Sequence, residues 1–288
     1  MKKGDLIDVK VNGERVQAEF QEWRPDEVYA VVLHEGRRLY RKPLVSHKES
    51  GQGVVEASVS KYCINERFEF IKKLVDMVVL SRTKSAIISG SGGLGKTHTV
   101  LERLDAAKLI EDQHYIIVKG FTTPKSLYRL LFQHQQKIII FDDTDSVWEN
   151  GIAVSLLKSA LDSYDVRKLS WLTSHGDDGI PETFEFRGKI IFISNLPLKK
   201  LDQAILSRSM YVDVSMTAQE KIKRIRYISN HIRPNVDFTI KEEVLGFLEE
   251  KCETVGDLNI RTFLKGIEIR LSGGKDWKSM FDYMITAL

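Results

Sequence analysis

The chain has 288 residues, 42% of them hydrophobic and 29% charged, with a formal net charge of +3. That length allows one large domain or two, and a charge so near balance does not by itself require a nucleic-acid partner. Cys63 and Cys252 give neither a metal-ligand spacing nor a disulfide framework, no apolar run approaches the ~18 residues of a membrane span, and the start MKKGDLIDVKVNGE lacks the apolar stretch of a secretory signal, so a cytoplasmic protein without a membrane partner is expected.

Within an N-terminal module and linker expected over 1–50, residues 1–45 alternate polar and apolar positions in LIDVKV, ERVQAEF, VYAVVLHE and RRLYRK. Asn12-Gly13 is a hairpin turn signal and Glu35-Gly36 a weaker one, so a small β-rich module is expected, with the polar stretch 46–53 as linker. Arg37, Arg38, Tyr40, Arg41 and Lys42 form a basic cluster with an aromatic. This suits single-stranded nucleic acid, and equally an edge strand kept soluble by charge.

Residues 51–216 read as an α/β core. Phe68, Ile71, Leu74, Val75 and Val78 recur at helical steps over 62–82. Short β-branched runs then alternate with helical stretches: AIISG, YIIVKG, KIIIFDD, LSWLT, KIIFISN and MYVDVSM. Such alternation predicts a parallel sheet covered by helices. Over 217–288 the strand runs stop, and four helices are expected at 217–231, 239–252, 258–271 and 276–287, with Pro234 ending the first. Lys221, Lys223, Arg224 and Arg226 read as a solvated face of the first of these helices, opposite Ile222, Ile225 and Ile228.

Gly90-Ser91-Gly92-Gly93-Leu94-Gly95-Lys96-Thr97 matches G-x-x-x-x-G-K-[ST] in full, between an expected strand and an expected helix. The glycines let backbone N–H groups turn inward on phosphate oxygens, and the helix N-terminus adds its positive end. Lys96 is expected to reach the β- and γ-phosphates of ATP, and the Thr97 hydroxyl to ligate Mg²⁺. The run from Lys137 to Phe141 is an apolar strand ending in Asp142-Asp143. Asp142 is expected to hold Mg²⁺ through water, and Asp143 to orient or deprotonate the attacking water. A nucleotide kinase or GTP-binding protein shares both motifs, so the pair alone does not fix the reaction.

The order of further motifs resembles the AAA+ ATPases over residues 62–288. The strand from Lys189 to Ser194 with Asn195 at its tip is similar to the family's sensor 1. The resemblance places that amide between the two phosphate-site motifs, where it helps position water. Residues 201–208 are similar to the helix that ends in an arginine finger, implying that Arg208 reaches the γ-phosphate of an adjacent subunit. Residues 255–261 are similar to sensor 2, implying that Arg261 contacts the γ-phosphate of its own subunit from a C-terminal helical lid. The string FDDTDSVWENGIAVSLLKSALDSYD resembles small AAA+ proteins of tailed bacteriophages, which would put the chain in the host cytoplasm. The resemblance implies a homo-oligomeric ring, as in hexameric members. It also implies a substrate threaded or remodelled by that ring, and DNA or a DNA-bound protein fits, as for a helicase loader or replication accessory ATPase. Phe121 would lie on the pore loop, with Lys119 beside it, and Tyr164–Thr173 in a substrate-loop region.

One departure bears on function: the family usually has Asp-Glu where this chain has Asp142-Asp143. A shorter second carboxylate places water less well and implies slow turnover. That keeps open a switch that binds ATP, assembles and recruits a partner with little hydrolysis. A phosphotransferase fits less well, because the chain shows no acceptor-substrate motif.

Overall fold

The computed structural model describes residues 6–11, 14–23, 30–34, 37–41, 60–120, 122–164, 166–172 and 179–286. The chain divides into two compact units, Met1–Val55 and Glu56–Leu288.

The first unit is a four-stranded antiparallel meander of β1 (Leu6–Val11), β2 (Glu14–Trp23), β3 (Ala30–His34) and β4 (Arg37–Arg41). Val11 pairs with Glu14 and His34 with Arg37, the register that two-residue connections at Asn12-Gly13 and Glu35-Gly36 demand. A register shift between Phe20 and Glu22 marks a bulge in β2. Ala18, Val31 and Val32 are buried. β4, which carries most of the basic cluster, is an edge strand. The expected linker at 46–53 lies outside the described residues.

The second unit is α/β. Helix α1 (Ile64–Val79) leads to β5 (Ser85–Ser89), α2 (Lys96–Ala106), β6 (Tyr115–Lys119), α3 (Pro124–Gln133), β7 (Ile138–Asp142) and α4 (Gly151–Ala160). There follow β8 (Arg167–Ser170), β9 (Thr183–Phe186), β10 (Lys189–Ser194), α5 (Gln203–Arg208) and β11 (Met210–Asp213). Five strands form one parallel sheet in the order β11-β5-β10-β7-β6.

Alternate residues of the central strands feed two separate cores, as period-2 side-chain geometry requires. Ala86, Ile88, Ile138, Ile140, Ile191 and Ile193 face one core with α1 and α2. Ile87, Ile139, Phe141, Ile190 and Phe192 face the other, with residues of α3, α4 and α5. Strands buried on both faces read as continuous apolar runs, which is why KIIIFDD and KIIFISN were legible as sheet strands.

The expected sheet strand LSWLT is a correction. The strand there is β8, which starts two residues earlier, and it pairs antiparallel with β9 outside the parallel sheet. Its burial alternates, with Arg167 and Leu169 inside and Lys168 and Ser170 outside, the signature of a sheet covered on one face only.

Four helices follow: α6 (Ala218–Ser229), α7 (Phe238–Lys251), α8 (Ile260–Leu271) and α9 (Trp277–Thr286). Thr217 and Glu220 form a reciprocal capping box on α6, while Asp237 and Asn259 cap α7 and α8. Among the described residues no helix is long and apolar enough to cross a membrane.

Candidate functional site

The strand order carries the phosphate-loop strand β5 and the acidic strand β7 to either side of β10. Their C-terminal ends therefore share one edge of the sheet, where ligands of open α/β sheets bind. Ser194 pairs with Ser89, and Asp142 lies level with Ile193 and with Lys119 of β6.

The loop 90–95 owes its path to glycine. Gly93 and Gly95 have φ of 66° and 96°, and a Cβ on Gly90 would sit 2.8 Å from the Val214 backbone. Gly95 is the N-cap of α2, so the helix opens directly onto the loop. Lys96 is 5% exposed, and its ammonium donates to the carbonyls of Gly90 (2.8 Å) and Ser91 (2.9 Å) and to Asn195 Oδ1 (2.8 Å). Thr97 Oγ1 donates to Asp142 Oδ1 at 2.8 Å, and Lys119 Nζ lies 3.2 Å from Asp142 Oδ2. A hydroxyl beside a buried carboxylate is a hard oxygen pair of the kind Mg²⁺ takes.

Asp143 follows the end of β7 in a left-handed conformation, φ 54°, with its N–H donating to Ile193 O at 3.1 Å. Aspartate tolerates this region better than most residues, and such strain is characteristic of sites. Asn195 Nδ2 donates to Asp143 Oδ1 at 2.6 Å. Asn195 thus joins Lys96 to Asp143, with its oxygen on one and its nitrogen on the other. Burial raises the Asp143 carboxyl above its ordinary value, and the neighbouring Asp142 adds to this, while Lys96 and Arg261 oppose it. The strand end is fixed by Ser194 Oγ donating to Asp145 Oδ1 (2.7 Å) and Ser89 Oγ donating to Leu196 O (2.6 Å).

Helix α8 closes the site from the other side. The Ile260 N–H donates to Gly93 O at 3.0 Å, and the buried Asn259 packs its side chain where a Gly93 Cβ would stand, 3.1 Å away. Gly93, Gly95, Lys96, Thr97, His98, Asp143, Ile193, Asn195, Ile260 and Arg261 line one cavity of about 240 Å³. Seven of the expected residues — Gly93, Gly95, Lys96, Thr97, Asp143, Asn195 and Arg261 — therefore meet in one place, with Asp142 bonded to Thr97. The remaining loop residues Ser91, Gly92 and Leu94 belong to the same turn, and Asn195 Oδ1 would stand 3.4 Å from a Gly92 Cβ.

Arg208 is not brought to this cavity. Its carbonyl accepts from Ser85 Oγ (3.3 Å) at the opposite end of β5, roughly 13 Å along the strand from the loop's origin. Its guanidinium donates to Ala204 O at 2.9 Å and has no carboxylate partner among the described residues. Together with Arg82, Lys84, Asp162 and Ser163 it lines a separate cavity of about 530 Å³. Phe121 lies outside the described residues, as does Thr173.

A second, larger cavity of about 580 Å³ continues from the phosphate loop and shares Gly95, His98 and Ile260 with the first. Its walls include Asn65 and Phe68 of α1, Glu102 of α2, and Arg224, Tyr227 and Ile228 of α6. On the expected solvated face of α6, Lys223 and Arg226 are exposed, but Arg224 is a correction: it is 7% exposed, because its guanidinium lies over the Phe68 ring, 3.6 Å from the centroid. The sequence held no signal for this cavity, since three helices distant in the chain build it. Asn259 was recoverable as the N-cap before Ile260.

No protein-family model matches the chain. It is similar to an uncharacterized 36.7 kDa protein from the nrdC–mobD intergenic region of Enterobacteria phage T4. The two are 28% identical over 244 aligned residues, covering 73% of this chain and 74% of the relative.

The buried lysine gives the site a pH signature. Burial lowers the Lys96 ammonium from 10.5 to about 8, although Asp143, Asp142 and Asp145 pull it upward. On unfolding the lysine regains its ordinary value. Between about pH 8 and 10.5 the unfolded state then binds more protons, so folding gains stability as pH rises. Relative to Lys96→Met, the wild-type chain should gain about 2 kcal/mol between pH 8 and pH 10 in chemical denaturation. A difference constant with pH would contradict the burial of a charged lysine.

Proposed function

We propose that the chain is an AAA+-type ATPase that binds Mg·ATP, hydrolyses it between neighbouring copies in a ring, and uses the cycle to remodel or move on a macromolecule. The observation that carries this reading is the convergence of Lys96, Thr97, Asp142, Asp143, Asn195 and Arg261 around one loop. These residues come from four separate segments, and each supplies a group of the type the chemistry needs.

The residues fit the nucleotide and the metal. The glycines leave room for phosphate oxygens, and Lys96 exchanges the Gly90 and Ser91 carbonyls for anionic partners. Thr97 and Asp142 would hold Mg²⁺, which when bound would neutralise charge on the transferring phosphoryl group. Asp143 accepts a hydrogen bond from water and, with Asn195, points it at the phosphate end of the cavity. Its raised carboxyl suits proton acceptance nearer neutral pH than a solvated aspartate would. Arg261 approaches from α8, whose N-terminus is tied to Gly93, so nucleotide contact and helix position are coupled. Arg208, remote from its own loop and without a carboxylate partner among the described residues, is available to the site of a neighbouring copy. The larger cavity accommodates base and ribose, and its volume falls in the range of small-ligand pockets.

Asp143 favours a second reading, an ATP-dependent assembly switch with little hydrolysis, because it is one methylene shorter than the family's usual glutamate. The phage-encoded relative is compatible with action in a host cytoplasm under either reading. Steady-state phosphate release with single-stranded DNA, duplex DNA or unfolded protein added separately tests the motor reading. Stimulation of severalfold by one polymer is expected. ATP-driven assembly with no stimulation by any polymer would favour the switch.

A further inference from the structure

Arg224 is a buried cation that the chain itself leaves largely unsatisfied. Of the five N–H donors of its guanidinium, one has a hydrogen-bond acceptor among the described residues, NH1 to Asn65 Oδ1 at 3.2 Å. Its Nε is buried with no acceptor. Its NH2, the end nearest the phosphate loop, is 3.8 Å from where a Gly95 Cβ would stand. Three glutamates line the same cavity, but none is within ion-pair distance of Arg224. Glu66 accepts from the Cys63 N–H (2.7 Å), Glu69 pairs with Lys72 (2.9 Å), and Glu102 faces His98 (3.9 Å).

Burying a charge without a hydrogen-bonded partner is expensive. Here it is held in place deliberately: Phe68 covers one face of the guanidinium, Tyr227 lies 5.4 Å away, and Asn65 fixes its rotation. The result is a planar, pre-oriented set of donors on the wall of an otherwise half-apolar cavity that opens from the phosphate loop. A purine presents acceptor nitrogens around its ring, and a fixed guanidinium fork suits such edges.

We propose that Arg224 is the base-reading residue of the nucleotide site, donating from its guanidinium to an acceptor nitrogen on the purine edge. This rests on the nucleotide reading of the phosphate loop. It separates the labour of the two cavities: Lys96 binds the phosphates whatever base they carry, while Arg224 contributes to affinity only when a base with the right acceptor is attached. It also gives α6 a direct contact with the base, while α8 contacts the loop.

The test measures equilibrium binding of ATP, of its 1-deaza, 3-deaza and 7-deaza analogues, and of inorganic tripolyphosphate in magnesium buffer. The full chain is used as wild type, Arg224→Met and Arg224→Lys. The wild-type chain should bind one of the three analogues about tenfold or more weakly than ATP, the loss expected for a missing hydrogen bond to a buried charged donor. Both variants should lose that discrimination and retain wild-type affinity for tripolyphosphate. Arg224→Lys keeps a cation over Phe68 and so decides the matter if Arg224→Met does not fold. The wild-type measurement stands without either variant. Equal binding of all three analogues and ATP by the wild type would overturn the proposal, as would an analogue penalty that persists in the variants or a matching loss of ATP and tripolyphosphate. Failure of the wild type to bind either ATP or tripolyphosphate would instead overturn the nucleotide reading itself.

Discussion

Lys96→Ala should reduce ATP turnover by about 10²-fold or more while leaving a folded chain. The side chain is almost wholly buried, and its ammonium bridges two loop carbonyls and Asn195. Its removal deletes the buried ammonium of the phosphate cavity and frees Asn195, which also holds Asp143. The fold should survive, because the sheet and both cores on its faces make no use of the ammonium. Turnover compared at matched folded concentration, with far-ultraviolet circular dichroism as control, measures the effect. Wild-type turnover in the variant would refute the assignment of the phosphate loop.

The second large effect is a rescue. Arg208→Ala subunits retain an intact phosphate loop but offer no guanidinium to a neighbour, while Lys96→Ala subunits offer Arg208 but have a defective loop. Each should be nearly inactive alone, and their mixture should recover activity at those interfaces that combine a sound loop with a neighbour's Arg208. Loss of an essential arginine finger lowers rates by about 10³–10⁵, so a small fraction of restored interfaces is readable. The geometry motivates the experiment, since Arg208 and the loop of the same chain sit at opposite ends of β5. Full activity of Arg208→Ala alone would remove the trans mechanism and leave a monomeric nucleotide enzyme as the better account.

How far the sequence could be read followed from how local each feature is. The phosphate loop, Asp142 and Asn195 each sit at the end of a strand buried on both faces, so an apolar run and the polar residue ending it were visible together. The position of β10 between β5 and β7 is a non-local fact. It was reached through the family resemblance, because no pattern within one strand specifies its neighbours. The pairing of β8 with β9 was missed because Thr183, Phe184, Glu185 and Phe186 are too few to stand out as an alternating strand. Arg224 was misread for a related reason: on α6 alone it belongs with Lys223 and Arg226, and only Phe68, more than 150 residues earlier, makes a buried place for it. Lys119, beside the expected pore loop, pairs with Asp142, because parallel pairing of β6 with β7 sets the two side by side.

Phosphate release from ATP by the wild-type chain, followed across a concentration series with magnesium and again with a chelator, tests the central claim most directly. The account predicts magnesium-dependent release of phosphate whose specific rate rises with protein concentration, because dilute subunits lack a neighbour's Arg208. Absence of release and of ATP binding in magnesium, at concentrations where the chain is folded and self-associated, would contradict it.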